Sequence, residues 1–305
     1  MKEQEILSVI SSIIGNDYIG DDCAYLEDLG LVITQDSLVE GVHFSLDYMT
    51  PYQLGYKSIM VNISDISASG GEPKYVTIAL SLPKNITTAF VEEFYNGAKS
   101  ALGNVKIIGG DITGGEKIVV SITALGTTKN RKISSRKNAQ TGQVVVVSGV
   151  HGSSAGGLEL LKNKQSEPQN LINAHLLPVA QVGFSEQIAT LIDCDYAMMD
   201  TSDGLADALV QIANFSNKTL IIDFDKIPFD KELKECFSKD YQEKILYGGE
   251  DYQIVATLPE NFAKKITNAT IIGKVIERKN DNPVEVFVGN NVYTLSNDKC
   301  FNHFE

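Results

Sequence analysis

The chain has 305 residues, 43% of them hydrophobic and 21% charged, with a formal net charge of −13. That length exceeds what one hydrophobic core usually serves, so two domains are expected in a protein of ordinary globular composition. The acidic balance excludes a general nucleic-acid binder, which needs a basic face, and no apolar run reaches bilayer-spanning length, so neither a nucleic-acid nor a membrane partner is expected.

"MKEQEILSVISSII" reads as an amphipathic helix rather than a signal peptide, which makes the cytoplasm the expected location. "LVITQD" then reads as a strand. Thr50-Pro51 is a cap followed by a first-turn proline, and Gly70-Gly71 is a stop, so a helix is predicted between them. That helix is apolar on most sides, yet Ser58, Asn62, Asp65 and Ser69 recur at spacings of three and four and share one face. A strand "YVTIALSLP", a helix "TTAFVEEFYNGAKSAL" and strands "KIIGGD" and "KIVVSITALGTT" follow. The basic stretch 128–142, "TKNRKISSRKNAQTG", is the expected linker or exposed loop, with a second α/β unit starting at "QVVVVSG". The order predicts an α/β (α+β) protein with domains at 1–137 and 138–305.

Several aspartates stand at strand ends or beside glycine: Asp21 and Asp22, Asp36, Asp111, Asp200 and Asp203. Asp65 joins them from the helix stripe. Singly, each reads better as a turn former or helix cap than as a ligand, and Ser202 with Asp203 could cap the helix "GLADALVQIANF". As a converging set, without neighbouring lysines or arginines, they would repel one another unless a cation offset the charge. Carboxylates without His or Cys partners suit a hard ion such as Mg²⁺. The four cysteines form no CxxC pair and the four histidines no metal-ligand spacing, so zinc and a disulfide framework are not expected. "SGVHGSSAGGLELL" is strand, small-residue loop and helix; its glycines serve either a phosphate or tight packing, and the pattern is neither Walker A nor GxGxxG.

"GDDCAYL", "TQDSLVEGVHF", "GYKSIMVNISDISASGGEP", "LSLP", "IIGGDITGG", "DTSDGL", "GGEDYQIV" and "CFNHF" occur in the order found in thiamine-monophosphate kinases. From about residue 19 onward the chain resembles that family, part of the aminoimidazole ribonucleotide synthetase-like superfamily. The resemblance implies ATP-dependent phosphorylation of thiamine monophosphate to thiamine diphosphate. It also implies a two-domain subunit and a homodimer whose N-terminal sheets join into a barrel.

By motif, the resemblance places several Mg²⁺ ions on Asp22, Thr34, Gln35, Asp36, Asp65, Asp111, Asp200 and Asp203, with Asp36, Asp65, Asp111 and Asp200 at the catalytic centre. It places ATP, the co-substrate, on Tyr95, Gly110, Asp111, Arg136 and Ser202, and the thiamine substrate on His43, Glu250 and Phe301. Two departures stand out. Thr34-Gln35-Asp36 replaces the usual Ser-Thr-Asp, and Ile112 and Gly114 replace a hydroxyl and a guanidinium of "GGDTTRG". The competing expectations are another ATP-using member of the superfamily, or a non-catalytic nucleotide or divalent-cation binder on the same fold.

Overall fold

A computed structural model describes residues 3–16, 18–279 and 281–303. The last Phe of the "CFNHF" motif, at 304, lies outside the described residues. The first half runs α1 (Glu3–Ile14), β1 (Ala24–Leu26), β2 (Leu31–Val39), α2 (Pro51–Ala68), β3 (Glu72–Leu82), α3 (Thr88–Ala101), β4 (Lys106–Gly114) and β5 (Val119–Thr127). Its strands form a five-stranded sheet in the order β1-β2-β5-β3-β4, antiparallel except for the β3–β4 pair. In β5 buried residues alternate with half-buried ones, so Val120, Ile122 and Ala124 turn to one face, where Val32, Thr34 and Leu38 of β2 join them.

α2 covers that face. The Thr50 hydroxyl oxygen accepts a hydrogen bond from the Gln53 amide while Gln53 Oε1 accepts one from the Thr50 amide, a closed capping box that is worth about 1 kcal/mol. α3 packs against α2 backbone to backbone: a Cβ on Gly55 would stand 1.9 Å from the Phe94 carbonyl oxygen, and one on Gly97 1.8 Å from that of Tyr52. Both glycines are therefore needed for the close approach.

The second half runs β6 (Val144–Val147), α4 (Ser153–Lys162), α5 (Gln169–Leu176), α6 (Val182–Leu191), β7 (Met198–Asp200), α7 (Leu205–Phe215), β8 (Lys218–Asp223), α8 (Lys231–Cys236), α9 (Tyr241–Tyr247), β9 (Ile254–Leu258), α10 (Glu260–Ala263), β10 (Thr270–Glu277), β11 (Val284–Val288) and β12 (Asn291–Leu295). It forms a mixed seven-stranded sheet ordered β12-β11-β8-β10-β6-β9-β7, in which β8 and β11 are the parallel pair. β6 and β9 are buried at every position, which explains their unbroken apolar runs "VVVV" and "IVATL".

α2 also docks the second sheet and its helices. Ser185 of α6 donates to the Ser67 carbonyl, and Ser134 to that of Ala68 at 2.8 Å. The basic stretch 128–142, expected as a linker or exposed loop, runs between the two sheets with exposed ends, but its middle is pinned: Ser134 is buried, and the Ser135 hydroxyl and Arg136 amide bond Asp21 at 2.8 and 2.7 Å. Among the described residues no helix is long and apolar enough to cross a membrane.

Candidate active site

The polar stripe of α2 meets two sheets at once. Asp65 accepts a 2.6 Å hydrogen bond from the Thr34 hydroxyl of β2, and Asn62 Oδ1 accepts from the Asp36 amide at 3.1 Å. From the position just before Asp65 on the same helix, Ser64 donates to Asp200 at the end of β7. Asp22, Asp65 and Asp200 each place a carboxylate oxygen within 4.8 Å of the others. Asp22 comes from the short turn before β1, so three distant segments converge here.

The electrostatics are those of crowded acids. Burial raises Asp22 to about 6; Arg136 opposes that shift, while Asp200 and Asp21 add to it. Asp65 is pushed well above the carboxylate range by burial and then by Asp36, Asp200 and Asp22. Asp36 is raised by burial and by Asp22; burial also raises Asp200, against the hydrogen bonds from Ser64 and Ser202. Arg136 supplies a fixed positive charge beside them, its Nη2 2.8 Å from Asp22 Oδ1 and its Nη1 on Gln211. Its Nε is buried without a hydrogen-bond partner. Oxygen-only donors that repel one another fit a hard divalent cation, as Mg²⁺ is.

The remaining expected ligands are placed differently. Gln35 alternates to the opposite face of β2, where its Oε1 accepts from Thr123 at 2.9 Å. Asp111 is exposed on the edge strand β4, outside the three-carboxylate group. Gly110 beside it has no room for a side chain, because a Cβ would stand 1.8 Å from the Ile78 carbonyl oxygen. Asp203 is half-buried, and its charge reaches Tyr252 and Cys300. Neither it nor Ser202 occupies the N-cap of α7, which is Gly204 with φ +116°. The Ser202 amide instead bonds Asp200 at 3.2 Å. Tyr95 sits half-buried on α3, edge-on to Phe94 with centroids 5.4 Å apart.

His43, Glu250 and Phe301 come together at a second locus. The rings of His43 and Phe301 are 6.2 Å apart, and His303 lies 5.1 Å from one and 4.8 Å from the other. Glu250 takes a left-handed backbone, φ +67°, and its amide bonds the Ser202 carbonyl, tying this locus to the Asp200 loop. Its carboxylate meets two residues that the sequence does not single out: Lys57 of α2 at 2.9 Å and His175 of α5 at 3.3 Å. The spacing of seven between Lys57 and Ser64 was the available signal, submerged among apolar neighbours.

The glycine-rich loop resolves in favour of packing. Asp251 caps α4, its carboxylate accepting from the Gly152 and Ser154 amides, the latter at 2.8 Å. Gly157 lets α4 approach α5, where a Cβ would stand 2.0 Å from the Leu171 carbonyl oxygen. The acceptor at this helix start is thus the protein's own carboxyl, raised to about 7 by burial against the pull of the two amides.

Two adjoining sequence families match the chain: AIR synthase related protein, N-terminal domain, over residues 20–128, and its C-terminal domain over residues 140–284. The thiamine-monophosphate kinase of Aquifex aeolicus (strain VF5) is 38% identical over 283 residues, covering 89% of this chain and 90% of that protein. The thiamine-monophosphate kinase of Bacillus subtilis (strain 168) is 34% identical, with 79% and 77% covered. The solved structure of AaThiL complexed with AMPPCP and TMP superposes with a TM-score of 0.89 at 35% identity, over 99% of this chain and 97% of that one. With both domains matched in order and likeness sustained along nearly the whole length, the chain belongs to the thiamine-monophosphate kinase family.

Proposed function

We propose that the protein transfers the γ-phosphoryl group of ATP to the phosphate of thiamine monophosphate, giving thiamine diphosphate and ADP. The observation that carries this reading is the convergence of Asp22, Asp65 and Asp200 beside Arg136, in a chain whose relatives are named for that reaction. Two polyanions can meet inside a protein of net charge −13 only where positive charge is concentrated locally. Mg²⁺ ions, when bound to these oxygens, supply the charge that neutralises phosphate oxygens as the phosphoryl group moves.

The protein's own residues do the rest. Asp22, Asp65 and Asp200, with Asp36 beside them, would hold the ions. Thr34 and Ser64 orient two of those carboxylates by hydrogen bonds. Arg136, held in place by Asp22 and Gln211, presents its guanidinium to the triphosphate. His43, Phe301 and Glu250 would take the thiamine heterocycles. The acceptor phosphate is already anionic, so transfer is direct and in line, the γ-phosphorus bond to the β-phosphate oxygen breaking as that to the acceptor oxygen forms. No general base and no phosphoenzyme are needed. Phosphorus label retained on the protein after incubation with γ-labelled ATP alone would contradict direct transfer.

The homodimer belongs to the same reading. The face of the five-stranded sheet opposite α2 carries Gln35, Ser37, Tyr75 and Ala79, all exposed. β4 is exposed along most of its length, with Ile108 at 56% and Ile112 at 67%. A nine-residue open edge invites pairing. A second copy packed on this face would join the two sheets into a barrel, with Gly110 and Asp111 close to the contact. Incubation with ATP, Mg²⁺ and thiamine monophosphate tests the activity: thiamine diphosphate and ADP in equal amounts are expected, and ATP hydrolysis without the diphosphate would refute it.

A further inference from the structure

Lys57 has no accessible surface, and its ammonium is ion-paired with Glu250 Oε1 at 2.9 Å without an aligned hydrogen bond. Burying an ammonium against one carboxylate is a poor way to stabilise a fold, since the desolvation penalty roughly cancels the attraction. An apolar residue here would hold α2 in place as well. The pair is better explained by what it does to Glu250, which is 23% exposed on its side chain and opens toward the aromatic locus. Burial alone would raise the carboxyl; the Lys57 ammonium, by charge and by contact, outweighs that and holds it below its ordinary value. His175 is buried and neutral, its pKa lowered to about 3 by burial and by Lys57. An ionised carboxylate only accepts, so His175 Nδ1 is the protonated ring nitrogen facing Glu250 Oε2.

The position along α2 matters as well. Lys57 and Asp65 are eight residues apart, about 12 Å along the axis, comparable with the length of an extended thiamine monophosphate. One helix therefore marks both ends of the substrate, phosphate at Asp65 and heterocycle at Lys57. The flat faces of His43, Phe301 and His303 suit a heteroaromatic ring, and a fixed carboxylate near enough to His43 to feel its charge suits a ring bearing an N–H donor.

We propose that Lys57 is a specificity-determining positioning residue: paired with Glu250, it keeps that carboxylate an acceptor-only group that selects the exocyclic amine of the aminopyrimidine. This rests on the thiamine-phosphate kinase reading. It would act through Glu250 without touching the substrate.

The test compares wild type, Lys57→Met and Lys57→Arg on thiamine monophosphate and on oxythiamine monophosphate, whose amine is replaced by a ring carbonyl. Wild type should prefer the amine about 10,000-fold in kcat/KM, as sites built to hydrogen-bond a substrate N–H do. Lys57→Met should raise KM for thiamine monophosphate about tenfold, leave KM for ATP within about twofold, and collapse the preference; Lys57→Arg should restore most of it. If Lys57→Met does not fold, Lys57→Met/Glu250→Gln removes both charges and should fold without the preference. A folded single or double variant with wild-type selectivity overturns the proposal, as does an equal rise in KM for both substrates. A wild type that forms no thiamine diphosphate overturns the kinase reading and this inference with it, whereas an active wild type with an indifferent Lys57→Met overturns the inference alone.

Discussion

Ser64 on α2 donates its hydroxyl to the carboxylate of Asp200 on β7, 136 positions further along the chain. At the next residue of α2, Asp65 accepts from Thr34 of β2. The two bonds turn one helix into the part that brings carboxylates from both sheets to a common point. The catalytic proposal depends on that convergence, because the acids that repel one another when bare are the ones a divalent cation would join.

Asp65→Asn should therefore separate activity from folding. Removing a charge that burial and three aspartates disfavour should leave the metal-free protein at least as stable as wild type. kcat/KM should fall about 1,000-fold or more, and the rise in melting temperature on adding Mg²⁺ should shrink. Calorimetry with and without Mg²⁺ checks this; a destabilised variant with near-normal turnover would contradict it.

The same acids set a pH dependence whose sign can be worked out. Asp22 rises from 3.8 to about 6 on folding, and Asp36, Asp65 and Asp200 shift in the same direction. The folded state then binds protons more tightly than the unfolded one. The Asp22 contribution is fully present below the unfolded pKa of 3.8 and is lost as pH rises through the folded value of about 6, and those of Asp36, Asp65 and Asp200 fade in the same direction as pH rises. In EDTA, the stability of wild type relative to Asp65→Asn should fall across that window, and Mg²⁺ should abolish the fall. Melting curves from pH 4.5 to 7.5 that run parallel for the two proteins would count against it.

Arg136→Lys keeps the charge but cannot reach both Asp22 and Gln211 with a planar fork. KM for ATP should rise about tenfold with KM for thiamine monophosphate little changed, as steady-state kinetics would show. An unaltered KM for ATP would remove Arg136 from the nucleotide site.

Asp251→Ala strips the cap from α4 and leaves the Gly152 and Ser154 amides buried without their acceptor. The expected cost is about 2 kcal/mol in a denaturant titration, with KM for ATP unchanged within about twofold. A large rise in KM for ATP at unchanged stability would return the glycine-rich loop to phosphate binding.

How far these features were legible in the sequence follows from the range of the interactions. The α2 stripe could be read because spacings of three and four are local, as could the helix bounds from Thr50-Pro51 and Gly70-Gly71. Aspartates beside glycine and strand ends pointed to Asp22 and Asp200, while Asp111 shares their local signature yet lies on an exposed edge. Lys57 was hard to read, because its partner Glu250 lies in the other half of the chain and its spacing from Ser64 is submerged among apolar neighbours. The Asp251 cap is hidden for the same reason: donor and acceptor are 97 residues apart between Ser154 and Asp251. The middle of the linker was misread as exposed because basic and polar residues predict solvent, whereas here Asp21 and Asp22 hold Ser135 and Arg136.

Anomalous diffraction from crystals grown with Mn²⁺ and a non-hydrolysable ATP analogue tests the central claim most directly. The account predicts metal peaks bounded by the oxygens of Asp22, Asp65 and Asp200, in contact with the analogue's phosphates. Those three carboxylates protonated and hydrogen-bonded to one another, with the analogue and its metal bound elsewhere, would contradict it.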